Sequence, residues 1–85
     1  MWSIYVIQND KTKEKYIGFT SNIKKRIDTH NSKGSKFTSR KEGKWILIYL
    51  ELFRSKDDAI NREKRIKNHG GAKQELFKRI ENSFL

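Results

Sequence analysis

The sequence predicts an α/β domain: a three-stranded, mainly antiparallel sheet flanked by helices, in the order β-β-α-β-α-α. Three observations lead there. Two aromatic and β-branched runs, WSIYVI at 2–7 and KYIGFT at 15–20, flank the turn signal Asn9-Asp10 and read as a hairpin. A longer apolar run, WILIYLELF, occupies 45–53. Helical periodicity with N-capping residues follows both the second and the third run.

Each element has its own justification. After the hairpin, Ser21-Asn22 offers N-caps for a helix over about 22–32, with Ile23 and Ile27 as its apolar seam. Residues 33–44, KGSKFTSRKEGK, form a polar, basic loop. The 45–53 run is apolar almost throughout, which predicts a central strand covered at least partly on both faces. Ser55 caps a second helix over about 56–68, with Asp58 three residues on as a capping-box variant. His69-Gly70-Gly71 is expected to end it, with Gly at the C′ position. AKQELFKRIENSF then reads as a shorter third helix with Leu76, Phe77 and Ile80 turned inward.

Eighty-five residues bound the chain to a single domain over 1–85, because a second core would not fit. Apolar residues make up 34%, so the core is small, and ten aromatics supply its bulk. A charged fraction of 35% is compatible with disorder, but the apolar residues here are clustered and periodic. Pro is absent, and no linker, internal repeat or low-complexity tract is visible.

Twenty basic residues against ten acidic ones leave a net charge of +10. In so small a chain this points to a polyanionic partner bound through its phosphates. An anionic membrane surface would want a basic helix with bulky apolar residues opposite, and no helix here has such a face. The absence of Cys excludes disulfide scaffolds, thiol nucleophiles and Cys-based zinc sites, and His30 and His69 lie far apart. Residues 2–7 are too short for a signal-peptide core and no run reaches transmembrane length, so the expected location is cytoplasmic.

Several residues do not fit a pure packing role. Arg26 and His30 lie four apart and flank the Ile23/Ile27 seam. Either alone is explained by packing, Arg26 as a snorkelling side chain and His30 as a half-buried ring. Glu63 falls in the apolar stripe of its helix with Ala59, Ile60, Ile66 and Lys67. A carboxylate there needs a cation, either a metal ion or a partner such as Arg26 or Lys67. Tyr5 and Tyr16 alternate with apolar strand residues, and Gly18 in a strand pattern suggests a bulge or a close backbone approach. Two Tyr, an Arg, a His and a Glu are together the composition of a phosphodiester site. Arg stabilises phosphate charge, Glu ligates a hard cation, and Tyr or His accepts a proton.

The order of these residues resembles the GIY-YIG nuclease superfamily, and more closely its small stand-alone bacterial YhbQ-like (UPF0213) group. The resemblance rests on Ser3-Ile4-Tyr5, Tyr16-Ile17-Gly18, the segment Arg26 to Asn31, Gly34-Ser35-Lys36-Phe37-Thr38, Trp45 to Tyr49, and Ala59 to Lys67. It covers about residues 2–80. It implies Mg²⁺-dependent (or Mn²⁺-dependent) phosphodiester hydrolysis with Tyr5, Tyr16, Arg26, His30 and Glu63 as catalytic residues. Tyr16 would activate or position water and Tyr5 would assist it. Arg26 would neutralise the scissile phosphate, His30 would orient or share the proton, and Glu63 would carry the metal. A free Tyr titrates near pH ~10, so a Tyr base needs help from neighbouring cations. Two departures stand out: Ser3 replaces the first Gly of the motif, and Phe19 follows Gly18 where several family nucleases carry a Lys. The family's further Asn has only Asn82 as a candidate.

Lys33, Lys36, Phe37, Arg40 and Lys41 in the basic loop, together with Lys67, are the expected nucleic-acid contacts. Basic residues around an aromatic suit backbone contact plus base stacking. The expected partner is DNA, single-stranded or structured, with RNA as an alternative, no membrane and no further protein partner. A DNA endonuclease of little sequence specificity is thus the leading reading. Its rivals are a catalytically silent nucleic-acid-binding module and a basic structural protein acting on RNA.

Overall fold

In the computed structural model, which describes residues 1–32 and 42–85, the first strand lies at the middle of the sheet. β1 (Trp2–Asn9) pairs antiparallel with β2 (Lys15–Thr20) on one side and with β3 (Trp45–Phe53) on the other. The helices are α1 (Ile23–Asn31), α2 (Lys56–Asn68) and α3 (Gly70–Arg79), and a 3₁₀ turn (Glu81–Ser83) follows. The order β-β-α-β-α-α is the one expected from the sequence.

One expectation is corrected here. The 45–53 run is an edge strand, and Ile46, Leu50 and Leu52 stay exposed on it. The fully covered strand is β1, buried from Ser3 through Asn9. Its polar residues hid this, because Gln8 and the Asn9 side-chain oxygen find their partners within the protein. Gln8 donates to the Lys13 carbonyl through Nε2 and accepts from the Leu85 amide at Oε1. Asn9 Oδ1 accepts from the Lys11 and Thr12 amides and closes the hairpin turn.

The alternation of β1 divides the interior in two. Ile4 and Val6 pack with Ile17, Ala59, Ile66, Leu76 and Ile80 in the layer of α2 and α3. Tyr5, Ile7 and Trp45 pack beneath Ile23 and Ile27 of α1 on the other face. The result is a three-layer arrangement with one helix on one face of the sheet and two on the other. Among the described residues no helix is long and apolar enough to cross a membrane.

The helix starts follow their caps. Asn22 Oδ1 accepts from the Lys25 amide at 3.1 Å, and Ser55 Oγ accepts from the Asp58 amide at 3.3 Å. The expected glycine stop is not used. His69 is extended (φ −120°, ψ 102°), and Gly70 and Gly71 open α3 rather than close α2. Neither is sterically required, since a Cβ at either position would meet nothing within 4 Å. The extended His69 alone supplies the corner.

Candidate active site

Tyr5 lies at the centre of the sheet and, by alternation with Ile4 and Val6, faces α1. Its partner across the β1–β2 pair is Gly18. A Cβ at Gly18 would overlap the Tyr5 ring and hydroxyl, so the phenol lies where any other residue would place a side chain. The close approach suggested by a Gly inside a strand pattern is therefore an approach of the Tyr5 ring. Two residues earlier on β2, Tyr16 joins the same face, with ring centroids 6.3 Å apart.

Helix α1 supplies the next two groups from one turn. Arg26 donates through Nε to the Tyr5 oxygen at 3.1 Å, and the same hydroxyl lies 2.9 Å from His30 Nε2. Arg26 can only donate, so the phenol oxygen accepts from it. Toward His30 the direction follows the tautomer: the phenol donates when Nε2 is bare and accepts when Nε2 carries the proton. Burial, reinforced by the Arg26 charge, lowers the His30 pKa, which favours the neutral ring. Burial also raises the Tyr5 pKa, while the bond and charge of Arg26 oppose that rise. Arg26 is held more firmly protonated by Tyr5 first and also by a hydrogen bond with Tyr16. The His30 and Tyr16 rings meet edge-on at 5.0 Å.

Glu63 approaches from α2. Its carboxylate adds to the rise in the Tyr5 pKa, so its charge is felt at the phenol. Of the two cations considered from sequence, Lys67 is its partner, with Nζ at 3.2 Å from Oε2. The same Nζ lies 5.5 Å from the Tyr16 ring centroid. Tyr5, Tyr16, Arg26, His30 and Glu63 therefore come together, with Lys67 between Glu63 and Tyr16.

Phe19 stacks on Trp2 at 5.3 Å in the α2/α3 layer. A side chain at position 19 thus points away from Tyr5 and Tyr16, and the lysine that faces Tyr16 comes from α2 instead. Asn82 is exposed in the 3₁₀ turn and adds nothing to the cluster. The informative Asn is Asn31, which closes the Arg26-to-Asn31 segment of the resemblance but had no role assigned to it. Its Oδ1 accepts from the Trp45 amide at 2.8 Å and its Nδ2 donates to the Trp45 carbonyl at 3.1 Å. That pair of bonds ties the end of α1 to the start of β3 and fixes the helix that carries Arg26 and His30. Lys33, Lys36, Phe37, Arg40 and Lys41 lie outside the described residues.

Among the described residues no group of three or more His, Asp or Glu side chains forms a metal cage. Among the described residues Glu63 is the one carboxylate whose charge is felt at Tyr5. Mg²⁺ is commonly held by one or two carboxylates, with waters and substrate phosphate completing its shell. A single Glu beside Lys67 and Tyr16 is compatible with that mode.

Comparison with known proteins follows the same lines. A family model described as the GIY-YIG catalytic domain matches residues 1–76. A UPF0213 protein of Staphylococcus haemolyticus is 38% identical over 79 residues, covering 92% of this chain and 92% of the relative. A UPF0213 protein of Limosilactobacillus reuteri is 41% identical over 64 residues, covering 73% of this chain and 67% of the relative. The solution NMR structure of a UPF0213 protein from Bacillus halodurans superimposes with a TM-score of 0.54 at 32% identity, covering 91% of this chain and 82% of that one.

Proposed function

The chain belongs to the GIY-YIG family, and from that premise we propose that it is a metal-dependent DNA endonuclease with little sequence specificity. The observation that carries this reading is the convergence on one hydroxyl: Tyr5 accepts from Arg26 and faces His30, beside Tyr16. A structural tyrosine at a strand centre does not need a cation and a neutral imidazole on the same oxygen.

In this reading Arg26 holds the scissile phosphate and offsets the charge that builds on its oxygens. Tyr16 positions the attacking water and, acting as the phenolate, takes its proton and becomes the neutral phenol. Tyr5 passes hydrogen-bond polarisation from that region to His30, whose neutral ring can accept a proton. Glu63 would hold Mg²⁺ or Mn²⁺, which when bound supplies Lewis-acid stabilisation of the phosphate. Lys67 holds positive charge beside Tyr16, in the role left open by Phe19. The substrate expected for such a small domain is single-stranded or structured DNA.

A second reading is supported by the Glu63–Lys67 ion pair, which already neutralises the carboxylate. On that reading the chain binds nucleic acid without cutting it. Incubating the protein with single-stranded and supercoiled DNA, in Mg²⁺ or in EDTA, separates the two. The nuclease reading expects cleavage in Mg²⁺ only and its loss in Tyr16→Phe. DNA binding with no cleavage in either condition rejects it in favour of the binding module.

A further inference from the structure

Helix α2 has two working flanks. One carries Glu63 and Lys67, and Lys67 reaches Tyr16 on β2. The other carries Arg62, which reaches Glu51 on β3 with Nε at 2.9 Å from Oε1. Since β2 and β3 are opposite edges of the sheet, the two flanks of α2 serve opposite edges, one beside Tyr16 and one beside Glu51.

On that far side, where α2 meets α3, a cleft of about 920 Å³ opens, lined by Arg62, Arg65, Asn68, Glu75 and Arg79 among others. Three arginines face one carboxylate there. Glu51 fixes the orientation of Arg62 by a second contact at 3.4 Å. Arg65 is exposed and has no carboxylate partner among the described residues. The Arg79–Glu75 pair is 3.5 Å long, with both side chains well over half exposed, and so is weak. The planar guanidinium of Arg65, and that of Arg79 once it leaves its weak pair with Glu75, can each take two oxygens of a phosphodiester by parallel N–H···O bonds. Lys64, also exposed, lies one residue from the cleft-lining Arg65 on the solvent side of α2.

We propose that this cleft is a second DNA contact, which takes a backbone phosphate of the same substrate whose scissile phosphate lies at the Tyr cluster. The inference rests on the nuclease reading for its substrate. The DNA would cross α2, a span of about 10–12 Å, so the second phosphate lies only a few nucleotides from the cut. An arginine pair held this far from the reacting atoms would fix strand direction rather than speed the chemistry.

The test is fluorescence anisotropy of labelled duplex and single-stranded oligonucleotides in EDTA, from 50 to 200 mM salt. No cleavage occurs there, so the titration reads binding alone, and the cleft's share is the difference between wild type and variant. The slope of log K against log salt should fall by about one per lost duplex contact in Arg65→Ala/Arg79→Ala. Arg65→Glu, a single exposed change to a good helix former, should also lower it. Lys13→Gln, in the hairpin turn, should leave it unchanged. An unaltered slope in the arginine variants, or an equal fall in Lys13→Gln, overturns the proposal. If the wild type nicks DNA in Mg²⁺ while the arginine variants keep their slope, only the cleft is rejected. If the wild type never nicks but the slope falls, the cleft stands and the nuclease reading fails.

Discussion

Tyr5 and Gly18 face each other across the β1–β2 pair, and the Tyr5 phenol fills the volume that a Gly18 side chain would need. The glycine is there to make room for the ring, since its own backbone has no positive φ. Everything else at the site is built on the position this gives the hydroxyl: Arg26 and His30 both reach it from α1.

Gly18→Ala should therefore damage both stability and site. The added methyl meets backbone-anchored ring atoms, and such overpacking costs about 1–3 kcal/mol. Urea denaturation should show a lower midpoint with unchanged slope, and tyrosine absorbance should report a displaced Tyr5. A variant as stable as wild type would show that the ring can move aside.

His30 makes stability pH-dependent. Its pKa is lowered in the folded protein relative to the ordinary value near ~6.5. The unfolded chain then binds more protons below that value, so the stabilisation from a neutral His30 is complete above pH ~6.5 and declines as pH falls through the window beneath it. Urea midpoints at pH 7.5 and 5.5 should differ in the wild type. His30→Gln, which keeps a polar side chain but no titration, should reduce that difference.

Asn31→Ala should loosen α1 from β3. It removes two hydrogen bonds to the Trp45 backbone, each worth about 0.5–1.5 kcal/mol net. The expected loss is about 1–3 kcal/mol in thermal or urea unfolding. If Arg26 and His30 depend on that anchor, DNA cleavage should fall further than the stability loss alone explains.

Lys67→Gln should have little effect on folding, since the Glu63–Lys67 pair is partly solvated and such pairs contribute about 0–1 kcal/mol. Its effect should appear in turnover. Losing one electrostatic contact of about 1.4 kcal/mol at Tyr16 lowers the rate roughly tenfold. Unchanged cleavage with a lowered salt slope would instead leave Lys67 as a DNA contact only.

Much of this was legible in the sequence. The Tyr5/Tyr16 alternation, the Arg26/His30 spacing and the caps at Asn22 and Ser55 are local patterns, and local patterns fix element type and face. Strand order is not local. The most apolar run, β3, became an edge, while β1 was buried through Gln8 and Asn9, whose partners are a turn and the far end of the chain. The sequence reading left Glu63 a metal ion or a side-chain cation such as Arg26 or Lys67, and only three-dimensional packing brings Lys67 to it. Phe19 looked like a gap in the site because several nucleases of the family carry a Lys there. The alternation of β2 sends it to the other face.

The central claim is that this cluster cuts DNA with Glu63 as its metal-holding residue. The most direct measurement is nicking of supercoiled plasmid in Mg²⁺ by wild type and by Glu63→Ala purified identically. The account predicts conversion to nicked circles by the wild type and none above buffer background by Glu63→Ala. Equal cutting by both proteins would contradict it.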